Sequence, residues 1–188
     1  MGTLFVDKLD PQSGTSLEIG SSGDTITIPS GATLDMSNGT MTLNSSMKAT
    51  PAFEAYKTSS QTISTGTSTK LQYDTEVFDT DNAYDNSTNY RFTPQVAGKY
   101  FIFASVQSGN TNDFDDYQIQ IYKNGSIYAL SRIRHHYGDN INCQVIMDMN
   151  GSSDYAEAFV YQASGGDLDA GGTTYPRVRF GGFRIIGA

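Results

Sequence analysis

The sequence has no tryptophan, one cysteine and two histidines in 188 residues, and its 12 Lys and Arg are outnumbered by 20 Asp and Glu. Each shortage excludes something. A lone Cys143 cannot close an intrachain disulfide. Its setting, Asn142-Cys143-Gln144-Val145-Ile146, reads as a strand that buries the thiol, the usual place of a free cysteine; a reactive thiol needs an electropositive, partly open site. The net charge of −8 argues against sequence-independent nucleic-acid binding, which depends on a basic surface that displaces counterions. No window approaches the roughly 20 apolar residues that span a bilayer, so membrane insertion is not expected. The opening Met1-Gly2-Thr3-Leu4-Phe5-Val6-Asp7 lacks the basic and apolar regions of a signal peptide. An extracellular role would then need another route, such as release by lysis.

What is present is aromatic and rich in turn formers. Tyr (12) and Phe (10) supply the bulk, and Gly occurs 19 times. Aromatic and β-branched residues among frequent turn formers favour strands over helices, and a disordered chain carries far fewer aromatics. The distribution is uneven. Residues 1–48 hold a single aromatic, Phe5, whereas from Phe53 aromatics recur every few residues. A thin element is therefore joined to a domain with a core.

In the thin part, Thr25-Ile26-Thr27-Ile28-Pro29, Ala32-Thr33-Leu34-Asp35-Met36 and Thr40-Met41-Thr42-Leu43-Asn44 alternate with period two, separated by turn signals at Ser30-Gly31 and Asn38-Gly39. Each places only a pair of apolar residues on one face: Ile26 and Ile28, Leu34 and Met36, Met41 and Leu43. Such pairs make no core for one chain. Three chains wound about an axis bury them, so residues 21–50 are expected to form the β-rich stalk of a homotrimer; the plain alternative is a flexible tether. Residues 1–20, with an extended piece stopped at Asp10-Pro11, are expected to dock onto something larger.

From residue 51 the chain reads as short strands. Thr69 to Asp79 alternates through Leu71, Tyr73 and Val77. Gly98-Lys99-Tyr100-Phe101-Ile102-Phe103-Ala104-Ser105-Val106 is nearly continuous and apolar, suited to a sheet interior or a subunit contact. Asn124-Gly125 joins Tyr117–Lys123 to Ser126–Leu130 in the strongest hairpin signal, and Asn150-Gly151 marks another turn. The last strand is interrupted by Gly181-Gly182, as at a bulge or a close backbone approach. About eight to ten short strands at this spacing predict an all-β sandwich or jelly roll.

Particular residues carry a family likeness. Phe53-Glu54-Ala55 opens the domain, Val77-Phe78-Asp79-Thr80-Asp81-Asn82-Ala83-Tyr84 leads into an acidic turn, Phe92-Thr93-Pro94-Gln95-Val96-Ala97-Gly98-Lys99-Tyr100-Phe101 follows, and Phe180-Gly181-Gly182-Phe183-Arg184-Ile185-Ile186 closes it. In this order and spacing, residues 51–188 resemble the C1q/TNF-like jelly-roll family. The resemblance implies a compact trimer with both termini at one base. Residues 13–33 also resemble, in composition, the opening of marine bacteriophage structural proteins. There is no Gly-X-Y stem, so the complement-like role of animal relatives does not carry over.

Candidate chemistry is sparse. Asp79, Asp81, Asn82 and Asp85 offer the oxygen ligands that calcium takes, but Tyr84 and Tyr90 stand where an EF-hand needs Gly and Glu; a solvated turn is the plainer reading, and Asp113, Asp115 and Asp116 read the same way. Arg132, Arg134, His135 and His136, followed by Tyr137, form the local basic cluster. Adjacent histidines on a strand point to opposite faces and do not share a zinc, which leaves anionic sugars, phosphate groups or an inter-subunit charge pair as uses of the cluster. No nucleophile elbow, phosphate loop or His-Glu-x-x-His occurs, so an enzyme is not expected, nor any cofactor beyond that calcium.

Together these point to a trimeric virion fibre or surface-decoration protein of a bacteriophage. Residues 1–20 would attach it to other virion proteins, and the head of residues 51–188 would bind a host glycan or protein through Tyr84, Asp85, Arg132, His135, His136, Tyr137 and Tyr175. A polysaccharide-degrading virion appendage and a cellular secreted adhesin are the alternatives.

Overall fold

The alternating segments beyond residue 51 become antiparallel strands, and those before it do not. The computed structural model describes residues 9–44, 47–107, 116–134, 140–171 and 178–186, and the chain divides into two units, Met1–Thr42 and Leu43–Ala188. In the second unit the strands are β1 (Ala52–Tyr56), β2 (Gln61–Ile63), β3 (Thr69–Lys70), β4 (Thr75–Asp79), β5 (Tyr84–Asp85), β6 (Arg91–Phe92) and β7 (Gly98–Gln107). They continue as β8 (Tyr117–Lys123), β9 (Ser126–Ile133), β10 (Asn140–Met149), β11 (Ala156–Gln162), β12 (Leu168–Ala170) and β13 (Arg179–Arg184). One sheet runs β10-β7-β13-β1-β4; the other runs β5-β6-β11-β8-β9 with β3 also on β11, and β2 and β12 form a small ribbon. This is an all-β jelly-roll sandwich, as the strand spacing predicts.

Period-two alternation sets the core. Tyr100, Ile102, Ala104 and Val106 of β7 share one buried cluster with Ile119 and Ile121 of β8 and Ala158 and Val160 of β11. The aromatic residues that carry the family likeness meet there. Phe53 stacks on Phe92 with ring centroids 4.4 Å apart and on Tyr84 at 4.8 Å, and Phe180 meets it edge-on at 5.0 Å. Cys143 lies buried on β10, where burial pushes its thiol pKa up.

One local reading changes and another narrows to one of its two alternatives. The run from Thr69 to Asp79 is not one strand: β3 pairs with β11 and β4 with β1, so the chain crosses between the sheets. Leu71 and Tyr73, both fully buried, fill the crossing. Gly181-Gly182 is a close approach and not a bulge, because β13 pairs without a break against both β1 and β7. A Cβ on Gly181 would lie 2.9 Å from the Phe53 carbonyl oxygen, and one on Gly182 would lie 2.8 Å from that of Phe101. The register shifts occur instead at Glu54/Ala55 and Ile121/Tyr122. The Asn124-Gly125 hairpin forms as expected, with positive φ at both residues, the conformation that matches strand twist.

Buried tyrosines tie the core together through their hydroxyls. Tyr73 donates to the Ser105 carbonyl (3.0 Å), Tyr84 to that of Tyr73 (3.0 Å) and Tyr100 to that of Val96 (2.7 Å). Desolvation raises all three pKa values, that of Tyr100 from 10.0 to about 12. A folded-state pKa above the unfolded one contributes stability that is complete below the unfolded value and lost as pH rises through the folded one. The melting temperature is therefore expected to hold up to about pH 10 and then to fall, with tyrosinate absorbance rising in step with unfolding. Full tyrosine ionisation in a chain that stays folded would contradict this assignment.

Within residues 9–42 of the first unit no strand is formed. Hydrogen-bonded turns close at Ser21–Asp24, Pro29–Ala32 and Met36–Gly39, including both expected turn sites, and the segments between them have no ladder partner in one chain. Ile26 (62% exposed), Ile28, Leu34 (61%), Met36 and Met41 are open to solvent. Leu43, which opens the second unit, is half-buried. No helix among the described residues is long and apolar enough to cross a membrane.

Candidate functional site

The acidic turn spends its oxygens on its own backbone. Asp79 accepts from the Asp81 N–H (3.2 Å) and the Tyr84 N–H (2.8 Å), and Asp81 accepts from the Thr80 hydroxyl. Asp85 accepts from the N–H groups of Ser87 (3.0 Å), Thr88 (2.9 Å) and Asn89 (3.1 Å) and from the Asn89 amide (2.8 Å). These donors, Thr88 foremost, hold its carboxyl well below the usual carboxylate range. Asp79, Asp81 and Asp85 are not gathered as a ligand set, and no group of three or more His, Cys, Asp or Glu side chains is placed to hold a metal among the described residues.

Tyr84 is not the exposed contact residue its polar neighbourhood suggests. It is 5% exposed, because the turn capped by Asp79 folds its ring onto Phe53. Arg132 does not stand free in a basic patch either. Its Nε donates to Asp116 Oδ1 at 2.7 Å, and Asp116 also accepts from Gln118, whose own oxygen accepts from Gln120 (2.8 Å). Arg132 thus ends an amide ladder on the outer face of β8 and β9, paired with Asp116 of its own chain. Arg134 is exposed. His135, His136, Tyr137 and Tyr175 lie outside the described residues.

Around β5 and β6 the structure forms an open polar cleft of about 390 Å³. Asp85 and Asn89 line it from the hairpin, Asn82 from the preceding turn, and Arg91, Thr93 and Gln95 from β6 and beyond. Arg91 pairs in register with Asp85 on one side and Glu157 on the other, yet it has no carboxylate partner among the described residues. Asp85 is committed to the loop, and Glu157 takes Lys70. The guanidinium instead rests 4.5 Å from the centre of the Tyr155 ring. The flanking backbone is held in the left-handed region at Asn82 (φ 51°) and Tyr90 (φ 50°), which for a residue as bulky as Tyr costs of order 1–3 kcal/mol.

A second surface feature lies on the outer face of the β10-β7-β13-β1-β4 sheet. One cross-sheet row reads Ile146, Phe101, Phe183 and Ala52; the next reads Gln144, Phe103, Gly181, Glu54 and Phe78. Ile146 (55%), Phe183 (44%) and Phe78 are exposed, and Phe101 and Phe103 are half-buried. The second row turns polar at Gln144 and at Glu54, which forms an ion pair with Arg179. Arg91, Thr93 and Gln95 escaped the sequence reading as site residues, and Asn82 entered it only as an oxygen ligand of the acidic turn. The one available signal was the outward period of Tyr90-Arg91-Phe92.

The fold is a jelly-roll sandwich of the kind seen in a TNF structure. The chain superposes on the Eiger TNF of S. frugiperda with a TM-score of 0.52 at 8% identity, over 73% of this chain and 93% of that one. Against the globular domain of zebrafish complement 1qA the score is 0.49 at 13% identity, over 72% and 97%. In sequence it is similar to the phage-like element PBSX protein XkdV of Bacillus subtilis strain 168, 24% identical in an alignment 148 residues long that covers 64% of this chain and 21% of the relative. It is also similar to the uncharacterized protein YqcC of the same strain, 29% identical over 107 residues, 53% of this chain and 29% of the relative. The chain thus spans under a third of either relative. No family model matches it.

Proposed function

We propose that the protein is a structural component of a bacteriophage virion, a homotrimeric fibre or surface-decoration protein whose jelly-roll heads bind a host or other surface without catalysing a reaction. The observation that carries this reading is the apolar outer face of the β10-β7-β13-β1-β4 sheet. Monomeric proteins rarely leave a contiguous apolar patch of this kind open, and further copies of the chain are the simplest cover. A head-to-tail contact that closes on itself makes a ring. The apolar pairs Ile26/Ile28 and Leu34/Met36, exposed in a single chain, call for the same kind of cover. The similarity to a phage-like element protein supports the virion setting, with residues 1–20 attaching to other virion proteins. Three heads presenting equal surfaces multiply a weak contact by avidity.

Light scattering on the full chain tests the assembly, with a three-chain mass expected. A stable monomer at micromolar concentration would sink the reading, and a dimer would replace the three-fold ring by a two-fold pairing of the same face.

A further inference from the structure

Arg91 lines the β5–β6 cleft without an ion pair to any carboxylate among the described residues, and its guanidinium lies against the Tyr155 ring. A guanidinium in that setting offers a planar fork of N–H groups, which matches the paired oxygens of a carboxylate or a phosphate. Around it, the Asn82 amide and the Thr93 hydroxyl line the cleft and make no hydrogen bond among the described residues. Gln95 uses its amide nitrogen on the Thr93 carbonyl (3.2 Å), which leaves its amide oxygen as an acceptor. Mixed amide and hydroxyl groups beside a fork suit a ligand with one carboxylate and several hydroxyls.

We propose that this cleft binds a single sugar residue bearing a carboxylate, a uronic acid unit of a surface polysaccharide, with its carboxylate on Arg91 and its ring hydroxyls on Asn82, Thr93 and Gln95. This rests on the reading of the head as a surface-binding module and names what that module recognises. Two features narrow the ligand. The volume is near the lower end of the ~300–1,000 Å³ range of small-molecule sites, enough for one or two sugar units and not for a long chain. Asp85 stands in the same wall, and the chain carries a net charge of −8, so a singly charged carboxylate is tolerated where a doubly charged phosphate is repelled. Apolar cover is slight, so each site is weak by itself and gains from being repeated in an assembly.

The test is a calorimetric or NMR titration of the full chain with glucuronate, and with glucose, which differs only in having CH2OH in place of the carboxylate. Glucuronate is expected to bind at least tenfold more tightly than glucose, and Arg91→Gln to weaken it about ten- to a hundredfold, the worth of a charged hydrogen bond. Arg91→Lys, which keeps the charge and loses the fork, is expected to lose most of the same affinity. Acetate is expected to bind far more weakly, because it lacks the hydroxyls. Equal affinity for glucose and glucuronate, equal affinity for acetate, or unchanged binding by Arg91→Gln overturns the proposal, as does failure of the wild-type chain to bind glucuronate. If Arg91→Gln does not unfold cooperatively, Thr93→Val reads the same site and is expected to weaken glucuronate several-fold; unchanged binding by that variant also overturns it. Light scattering on the same samples reports assembly separately, so a trimer that ignores glucuronate sinks the ligand and leaves the fibre, while a monomer that binds it does the reverse.

Discussion

Gly151→Ala is expected to destabilise the head by about 3 kcal/mol or more, a large share of a domain's total stability. Gly151 sits at φ +72°, and a Cβ there would lie 2.2 Å from the Ala97 nitrogen and 2.6 Å from the Val96 carbonyl carbon. Both are backbone atoms, so no side chain can rotate away, and the turn after β10 or the segment leading to β7 must move. Gly125, in the β8–β9 hairpin, supplies the control. Its φ of +78° is similar, but a Cβ there meets only the Tyr155 hydroxyl at 3.6 Å. Gly125→Ala should lose only the left-handed penalty of roughly 1–2 kcal/mol. Urea denaturation of both variants separates local from tertiary cost; equal losses would mean that the Ala97 approach carries no weight.

With the heads joined through the β10-β7-β13-β1-β4 face as proposed, Phe183→Asp is expected to convert the assembly to monomers. Phe183 is exposed on one chain and lies beside Phe101 in the register of β13 and β7, with ring centroids 5.5 Å apart. An aspartate on an open face costs the monomer little. In a closed apolar contact it leaves a buried charge without a partner, a penalty of about 3–5 kcal/mol, repeated at each interface of a ring. Light scattering should show the mass fall to that of one chain while far-ultraviolet circular dichroism keeps its β signature. A Phe183→Asp chain that stays assembled would move the subunit contact away from this face.

Local sequence patterns carried much of the fold. The nearly continuous apolar run Gly98–Val106 forms a strand with Tyr100, Ile102 and Ala104 inward, and Asn124-Gly125 closes its hairpin, because both signals act over a few residues. The motif aromatics Phe53, Phe92, Tyr100 and Phe180 are all buried, since rings spaced along alternating strands have one face on which to bury their area. The sites were less legible. Tyr84 lies among Asp and Asn residues and looks exposed, yet its burial depends on Phe53, far away in the chain. Arg132 looks like part of a basic patch, yet Asp116 satisfies it across the β8–β9 pairing.

Composition and period alone determined that this chain is all-β, that its aromatic bulk is concentrated after residue 50, and that the segments from Thr25 to Asn44 carry only three apolar pairs. Those properties are sums and repeats over neighbouring residues, and they survive without knowledge of pairing. Only the tertiary structure decided that Thr69–Asp79 changes sheet, that Gly181-Gly182 is a contact and not a bulge, and that Arg91 is the cation left facing a cleft with no carboxylate partner among the described residues. Each of these depends on which distant strand lies alongside: β11 and β1 claim the two ends of the first segment, and Phe53 and Phe101 crowd the glycines. Lys70 and the loop after β5 take the carboxylates that would otherwise have paired with Arg91.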